Sequence, residues 1–364
     1  MSDITILFGA GADQQVGLSG GADFAKAVIG LGCSDLTLAL KTYYRNCDIG
    51  KWYPDYRNVN TDEEWSNRKL IEASVRKEFL SKDYPSKRSL EDAVKKKVDQ
   101  LVLDKNKANE QLNSFTSYMG LIDGDFHTLI NPSILGSGKF WRVVLFYSRA
   151  YYYLLHEMNP SVGYDELIGN PIKALEVMNS FSDGLIGKQD SYYSVLSGRK
   201  DVNVITTNYT NTCERISGLK EERIAYIHGK FGWFESAEEM RVYDAFNEKL
   251  PSGLLFPFIF IQSGVKPIIC VKQLKEYMKM VKFLDQSSIL FIIGYRINSD
   301  DNHIASFIRQ YLDTGKRIIY FDFDGSSEEA ILTRLRTDTK KGFEHINVNR
   351  DNSVKVFERF LSNL

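Results

Sequence analysis

The chain predicts an α/β fold: a Rossmann-like parallel sheet with helices on both faces, interrupted by a large and mainly helical insertion. Three observations lead there. Residues 4–8 form an apolar run that feeds straight into a glycine-rich turn, the order in which a nucleotide-binding strand-turn-helix unit begins. Residues 201–364 alternate β-branched or aromatic runs with helical patterns. Near-continuous apolar strands separated by helices read as a parallel sheet covered on both sides. Residues 34–200 lack that alternation and read mostly as helix. One sheet domain is therefore expected from residues 1–33 and 201–364, with residues 34–200 as the helical insertion.

Taken in order, the first strand ends at Phe8, the turn holds Gly9, Gly11 and Gly17, and a helix is expected from near Asp23. In the insertion, Ser89 followed by Leu90, Glu91 and Asp92 looks like an N-cap with acidic residues in the first turn. Leu90, Val94, Val98, Leu101 and Val102 then recur at helical spacing, with Lys95, Lys96 and Lys97 largely on the other, solvated side. Turn-rich stretches interrupt the insertion at 54–62 and 131–139. Residues 140–158 are apolar and rich in tyrosine, but Arg142, Arg149 and His156 break the run. A membrane span needs about 20 apolar residues, so a core or interface helix is expected. Further strands are expected at Val202–Thr206, Arg223–Ile227, Gly253–Ile261, Ser288–Ile293 and Lys316–Asp322. Helices are expected at Val271–Leu284, Asp301–Thr314 and Glu328–Thr337.

Apolar residues make up 43% and charged residues 26% of the 364, the mix of a folded soluble protein. With a net charge of −1, no global field draws the chain to nucleic acid or to an anionic membrane. The first residues lack the basic-then-apolar pattern of a signal peptide. Cys33, Cys47, Cys213 and Cys270 form no Cys-x-x-Cys pair, which argues against a zinc knuckle and against a disulfide framework. A reduced, cytoplasmic setting is expected, with no metal.

Three constellations carry candidate chemistry. Gly9, Ala10, Gly11 and Gly17 follow a strand. Glycines let backbone approach a pyrophosphate at a helix N-terminus, and they serve equally in a tight turn with no ligand. The spacing is not Gly-x-Gly-x-x-Gly, and no acidic residue closes a second strand some 20 residues on, as a dehydrogenase would have it. Val204 to Thr210 ends a buried strand in Thr206, Thr207, Asn208 and Thr210. Ligands of open α/β sheets bind beyond the carboxyl ends of strands, where Asn208 can orient a ribose hydroxyl or a water; the same residues can cap the next helix. Ile224 to Gly229 delivers His228 to a strand end, where an imidazole can exchange a proton near neutral pH or play a structural part. Asp322 and Asp324 follow a late strand and suit ribose hydrogen bonds or loop capping. Arg296 can meet a phosphate or pair with Asp300 or Asp301, His303 sits where a helix opens, and the loop 262–267 can border the pocket. His127, His156 and His345 show no constellation.

In order along the chain, Gly9-Ala10-Gly11 with Gly17, Asp23-Phe24, Thr206-Thr207-Asn208-Tyr209, His228-Gly229 and Gly294-Tyr295-Arg296 resemble the motif series of sirtuins and sirtuin-like NAD hydrolases. Leu290–Tyr295 and Asp300–His303 resemble the late strand and loop of the bacterial members. The resemblance covers about half the chain and none of the helical region. It implies that Gly9, Ala10, Gly11, Asp23, Phe24, Thr206 and Thr207 lie along NAD, with Gly294, Tyr295 and Arg296 on the adenosine side. It makes Asn208 the catalytic amide beside the nicotinamide ribose, and His228 the general base or ribose-hydroxyl partner. Thr207 stands where that family carries glutamine and Thr210 where it carries aspartate. The loop from Gly17 to Asp23 is longer, and no four-cysteine zinc module is present. These departures weaken a deacylase reading more than a hydrolase reading.

The activity implied is cleavage of the nicotinamide–ribose bond of NAD to nicotinamide and ADP-ribose. ADP-ribosyl transfer or deacylation, and non-catalytic sensing of NAD or ADP-ribose, are the alternatives. The resemblance also implies a regulated effector of antiphage defence that works as a homo-oligomer or with an ATPase of the HerA type. No Walker motif occurs here, so such an ATPase would be a separate chain. The Tyr- and Phe-rich helical region can form an assembly surface or a cap on its own core.

Overall fold

The computed structural model describes residues 4–19, 34–47, 71–72, 75–76, 78–79, 84, 86–104, 106–107, 140–187, 190–239, 241–259, 270–297 and 301–364. The helix expected near Asp23, the turn-rich stretches 54–62 and 131–139, and the loop 262–267 lie outside them, as do Phe24, Cys33, His127 and Asp300. The chain falls into two compact units, residues 1–43 with 146–364 and residues 44–145.

In the smaller unit, a helix runs over Lys87–Leu103 and buries Val94, Val98 and Leu101, the stripe read from the sequence. Its N-cap is Ser86 rather than Ser89. The Ser86 hydroxyl accepts from the Ser89 amide at 3.1 Å, and the Ser89 hydroxyl accepts from the Ser86 amide at 3.2 Å. A reciprocal capping box satisfies two amides where a single cap satisfies one, and the helix starts a turn earlier. Arg76 holds Glu91 through two bonds of 2.7 Å.

In the larger unit, a six-stranded parallel sheet is built from β1 (Ile4–Phe8), β2 (Val202–Thr206), β3 (Ile224–Tyr226), β7 (Ile289–Ile293), β8 (Arg317–Asp322) and β9 (Phe343–Asn347). Its spatial order is β3-β2-β1-β7-β8-β9. Counted along the sheet's own strands this is 3-2-1-4-5-6, the doubly wound order. Leu7 pairs with Ile205 on one side and Ile292 on the other.

Side chains alternate between two cores. Leu7, Leu290, Ile292 and Ile318 face one core with helices Val271–Gln286 (α9), Asn302–Asp313 (α10) and Glu328–Leu335 (α11). Ile6, Phe8, Phe291 and Ile319 face the other, with Tyr192 and Tyr193 of a short helix (Tyr192–Val195, α7) and Phe357 of the last helix (Ser353–Ser362, α12). Helices thus cover both faces. This also explains why residues 146–200, read from the sequence as part of the insertion, join the sheet unit: Tyr192, Tyr193 and Leu196 are buried against β1 and β2.

The sequence reading is corrected at three places. The run 253–261 forms a strand, β6 (Leu255–Ile259), but not in the parallel sheet. It pairs antiparallel with β4 (Gly229–Ser236), which also pairs β5 (Arg241–Asp244) in a separate three-stranded sheet of order β5-β4-β6. Pro257 explains the placement, because proline gives no ladder hydrogen bond and β6 is an edge strand. β4 itself went unread because Gly229 and Gly232 interrupt it, and β9 because its edge position leaves Glu344 and His345 half-exposed. The tyrosine-rich stretch does form one helix, Phe140–Met158. Its Tyr151 packs edge-on against Phe231 of β4, ring centroids 4.6 Å apart. Among the described residues, no helix is long and apolar enough to cross a membrane.

Candidate functional site

The first turn is shaped by backbone meeting backbone. Gly9 donates to the Ile293 carbonyl at 3.0 Å and Gly11 to the Gly294 carbonyl at 2.9 Å. A Cβ on Gly9 would lie 2.5 Å from the Gly294 oxygen, one on Gly11 2.8 Å from the Gly294 Cα, and one on Gly294 2.3 Å from the Ala12 nitrogen. Gly294 also has φ +64°, a conformation that side chains other than glycine rarely adopt. These glycines are needed so that the β1 and β7 turns can cross in contact. Ala10 opens the short helix Ala10–Asp13 (α1) that follows.

Beside this crossing lies a cleft of about 360 Å³, lined by Gly11, Gly294, Tyr295, Arg296 and Asp322 together with Arg350, which the sequence reading missed. It opens between β1 and β7, where the strand order reverses, the place at which open α/β sheets bind ligands. Arg296 approaches Asp324 at 3.9 Å. Asp322 is buried and accepts from the Asp324 amide at 3.3 Å. Its other oxygen is 3.4 Å from Nε2 of His345 on β9, a histidine with no constellation in the sequence.

Across β1, the strand end of β2 is drawn into the glycine turn. The Asn208 side-chain amide donates to the Gly9 carbonyl at 3.0 Å and to the Tyr193 hydroxyl at 3.3 Å. Its backbone amide donates to the Thr206 hydroxyl at 3.0 Å. Thr207 donates through its backbone to the Phe8 carbonyl at 3.0 Å. Thr206 and Thr207 therefore shape the strand end.

Behind Asn208 sits a carboxylate that sequence reasoning did not single out. Asp13 in α1 accepts from the Thr210 hydroxyl at 2.8 Å and, through its other oxygen, from the Tyr193 hydroxyl. Burial pushes its carboxyl above the usual carboxylate value, while the bonds from Tyr193, Thr210 and Asn208 pull the other way. Burial and the neighbouring Asp13 raise the Tyr193 phenol. Thr210, where the resembling family carries aspartate, thus holds a carboxylate brought in from the first turn. Only an acidic residue just after the glycines could have signalled it.

His228 lies one strand over. Thr206 of β2 pairs with Tyr226 of β3, and the Ile227 amide donates to the Thr206 carbonyl at 3.0 Å. Asn208 and His228 each stand two residues past that pair, on neighbouring strand ends of one rim. His228 is buried, its Nε2 3.2 Å from an oxygen of buried Asp301. Asp301 is the N-cap of α10, yet its side chain makes no cap hydrogen bond. His303 on the first turn of α10 completes a cluster whose ligand-type atoms, one per residue from His228, Asp301 and His303, lie within 4.8 Å of one another. Gly229, at φ +88°, lets the chain turn away at once, since a Cβ there would be 2.7 Å from the Phe258 carbonyl of β6. Asn208 and His228 lie outside the residues that line the cleft. Asp23 and Phe24 lie outside the described residues.

No family model matches the chain, and no curated protein matches it. Among solved structures, one described as Sir2Tm bound to a propionylated peptide is similar at 12% identity over 47% of this chain and 69% of its own, with a TM-score of 0.32. A Sir2 homologue in complex with NAD is similar at 13% over 57% and 76%, with a TM-score of 0.33. One described under the mechanism and regulation of Sir2 enzymes is similar at 11% over 52% and 76%, also at 0.33. Likeness at this level says nothing of activity, and the Rossmann-like architecture stands on the strand order and register above.

Proposed function

We propose that the protein hydrolyses NAD at the nicotinamide–ribose bond, giving nicotinamide and ADP-ribose. The reading is carried by one observation: a cleft at the reversal of strand order shares its glycine turn with Asn208, and His228 stands at the next strand end of the same rim. At about 360 Å³ the cleft is at the small end for ligand sites. It suits an adenosine half bound near Asp322, with the pyrophosphate crossing the glycine turn and the second ribose reaching Asn208.

In this reading the N-glycosidic bond breaks with its electron pair passing to the nicotinamide ring nitrogen, which leaves oxocarbenium character on the ribose, as in glycoside cleavage. Asn208, fixed through Gly9 and Tyr193, positions the ribose and the attacking water. His228 takes the water's proton as oxygen bonds to the ribose carbon. With Nε2–H directed at Asp301, the His228 lone pair sits on Nδ1, and Asp301 is a positioning residue for that base. Fixed dipoles and positioning supply most of the acceleration. On the resemblance set out above, the activity belongs to a cytoplasmic effector of antiphage defence, regulated by assembly with further copies or with a separate ATPase.

The test is incubation of the pure protein with NAD, alone and with candidate partners, followed by chromatographic identification of products. Nicotinamide and ADP-ribose in equal amounts are expected. Acetyl-peptide-dependent release of O-acetyl-ADP-ribose would replace hydrolysis by transfer, and tight NAD binding without turnover would replace it by sensing. Asn208→Ala and His228→Ala are expected to lower turnover about 100-fold or more while keeping the wild-type circular dichroism; full turnover by both would remove the assignment.

A further inference from the structure

The His228–Asp301–His303 cluster offers more than an oriented base. Two imidazoles and a carboxylate are a donor set for zinc-class divalent ions, while hard cations such as magnesium prefer oxygen alone. The three come from the ends of two elements. His228 stands two residues past the end of β3, Asp301 is the N-cap of α10, and His303 lies in its first turn. His228 and Asp301 are buried. Ligands about 2.0–2.2 Å from a tetrahedral zinc ion stand about 3.4 Å from one another. The His228 and Asp301 atoms are already 3.2 Å apart, and the whole set lies within 4.8 Å.

We propose that His228, Asp301 and His303 bind one zinc-class ion, and that the bound ion switches off NAD hydrolysis. The regulatory half rests on the functional reading above. Without metal, the neutral His228 ring carries its proton on Nε2, toward Asp301, and Nδ1 is the base. A metal bound at Nε2 takes that lone pair, and the proton of the neutral ring then resides on Nδ1. The same ring therefore loses the lone pair with which it would accept the proton of water. No electron is transferred and the protein gains no bond other than the three to the ion, so removal of the metal restores the base. An enzyme that drains NAD needs such restraint.

The full-length protein, stripped with chelator, is titrated with zinc by calorimetry and with cobalt by visible absorption. One equivalent of zinc and the d–d bands of tetrahedral cobalt are expected, with no comparable response to magnesium. His303→Ala lies outside the proposed catalytic pair; it should keep metal-free hydrolysis and bind zinc at least 100-fold more weakly. Saturating zinc should slow the wild type at least tenfold, reversibly with chelator, and leave His303→Ala active at the same concentration. Absence of one-to-one binding, or equal binding by His303→Ala and by Asp301→Asn, overturns the site. Stoichiometric zinc that leaves hydrolysis unchanged overturns the switch. The calorimetry and the cobalt spectrum read the site even in a protein that does not hydrolyse NAD, so failure of the metal site and failure of the hydrolase reading are separate results.

Discussion

Along the β1–β3 half of the sheet rim, Asp13, Thr210, Tyr193 and Asn208 hydrogen-bond to one another behind the glycine turn, and all four are buried. Along the β7–β9 half, Arg296, Asp324 and Arg350 line an open cleft, and Arg296 and Asp324 approach only to 3.9 Å. The first arrangement costs nothing in reorganisation when a ligand arrives, because the dipoles are already fixed by the fold. The second leaves charges in water, where each contact adds little but can be remade around a ligand. In the proposed reading the first is the reacting end and the second the holding end. Substitutions on the first half should change turnover or stability, and on the second binding alone.

The largest effect is expected from Asn208→Ala. Removing a fixed dipole from a reacting centre typically costs about 10²–10³ in kcat, and the Gly9 carbonyl and Tyr193 hydroxyl would also lose their donor. Steady-state kinetics should show kcat falling with KM nearly unchanged. A rise in KM at constant kcat would move Asn208 to the holding end.

Next in size is Gly294→Ala, at the seam between the halves. The new Cβ would meet the Ala12 nitrogen at 2.3 Å in a residue at φ +64°, and backbone overlap plus left-handed strain come to about 2–4 kcal/mol. Gly315→Ala, at φ +80° with nothing within 4 Å of its Cβ, should cost only about 1 kcal/mol. Urea denaturation of the pair separates close approach from conformational strain, and equal losses would show that the crossing of the two turns adds nothing to stability.

Asp13→Asn comes third, with a sign set by pH. Burial raises the Asp13 carboxyl, so the native state holds its proton more tightly than the unfolded chain. Native stability is greatest below the ordinary value of 3.8, falls as pH climbs through the window between that value and the raised native one, and is level above it. A tenfold tighter hold on the proton corresponds to about 1.4 kcal/mol. Glu235 and Glu276 are raised by burial too and give slopes of the same sign. The informative quantity is therefore the wild-type stability minus that of Asp13→Asn, which should decline from pH 4 upward. A difference that stays flat would mean that Thr210 and Tyr193 fully offset the burial.

How much of this was legible in the chain follows from where the forces act. Val202–Thr206 reads as a strand to the residue because a parallel strand is buried on both faces and is dominated by β-branched side chains, here broken only by buried Asn203. Leu255–Ile259 is just as apolar, and its true sheet is betrayed only by Pro257. That Asn208 and His228 would stand together on one rim was legible because strand ends point their polar residues there. Asp13 and Tyr193 were not, since they meet Thr210 only once α1, α7 and the loop after β2 are packed. Asp301 was masked by its own position: an aspartate before a helix looks like a cap, and only coordinates show its carboxylate turned to His228.

The smallest effects should come from the cleft. Arg296 lines it beside Asp322 and Asp324, and Arg350 lines it while donating to the Gln14 side-chain oxygen at 3.1 Å. If the cleft holds an adenosine diphosphate half, Arg296→Ala removes a partly solvated partner of a phosphate and should raise KM about five- to tenfold, roughly 1.0–1.4 kcal/mol. Arg350 is exposed, and Arg350→Ala should raise KM no more than about threefold. Asp324→Asn should act oppositely, lowering KM, because it removes a negative charge from the anion's path and frees Arg296 from its 3.9 Å neighbour. Added salt should shrink all three differences together, since these charges face water and are screened over about 10 Å at 0.1 M. Any of the three that lowers kcat and leaves KM alone would place that side chain at the reacting end, and the division of the rim into two halves would have to be redrawn around it.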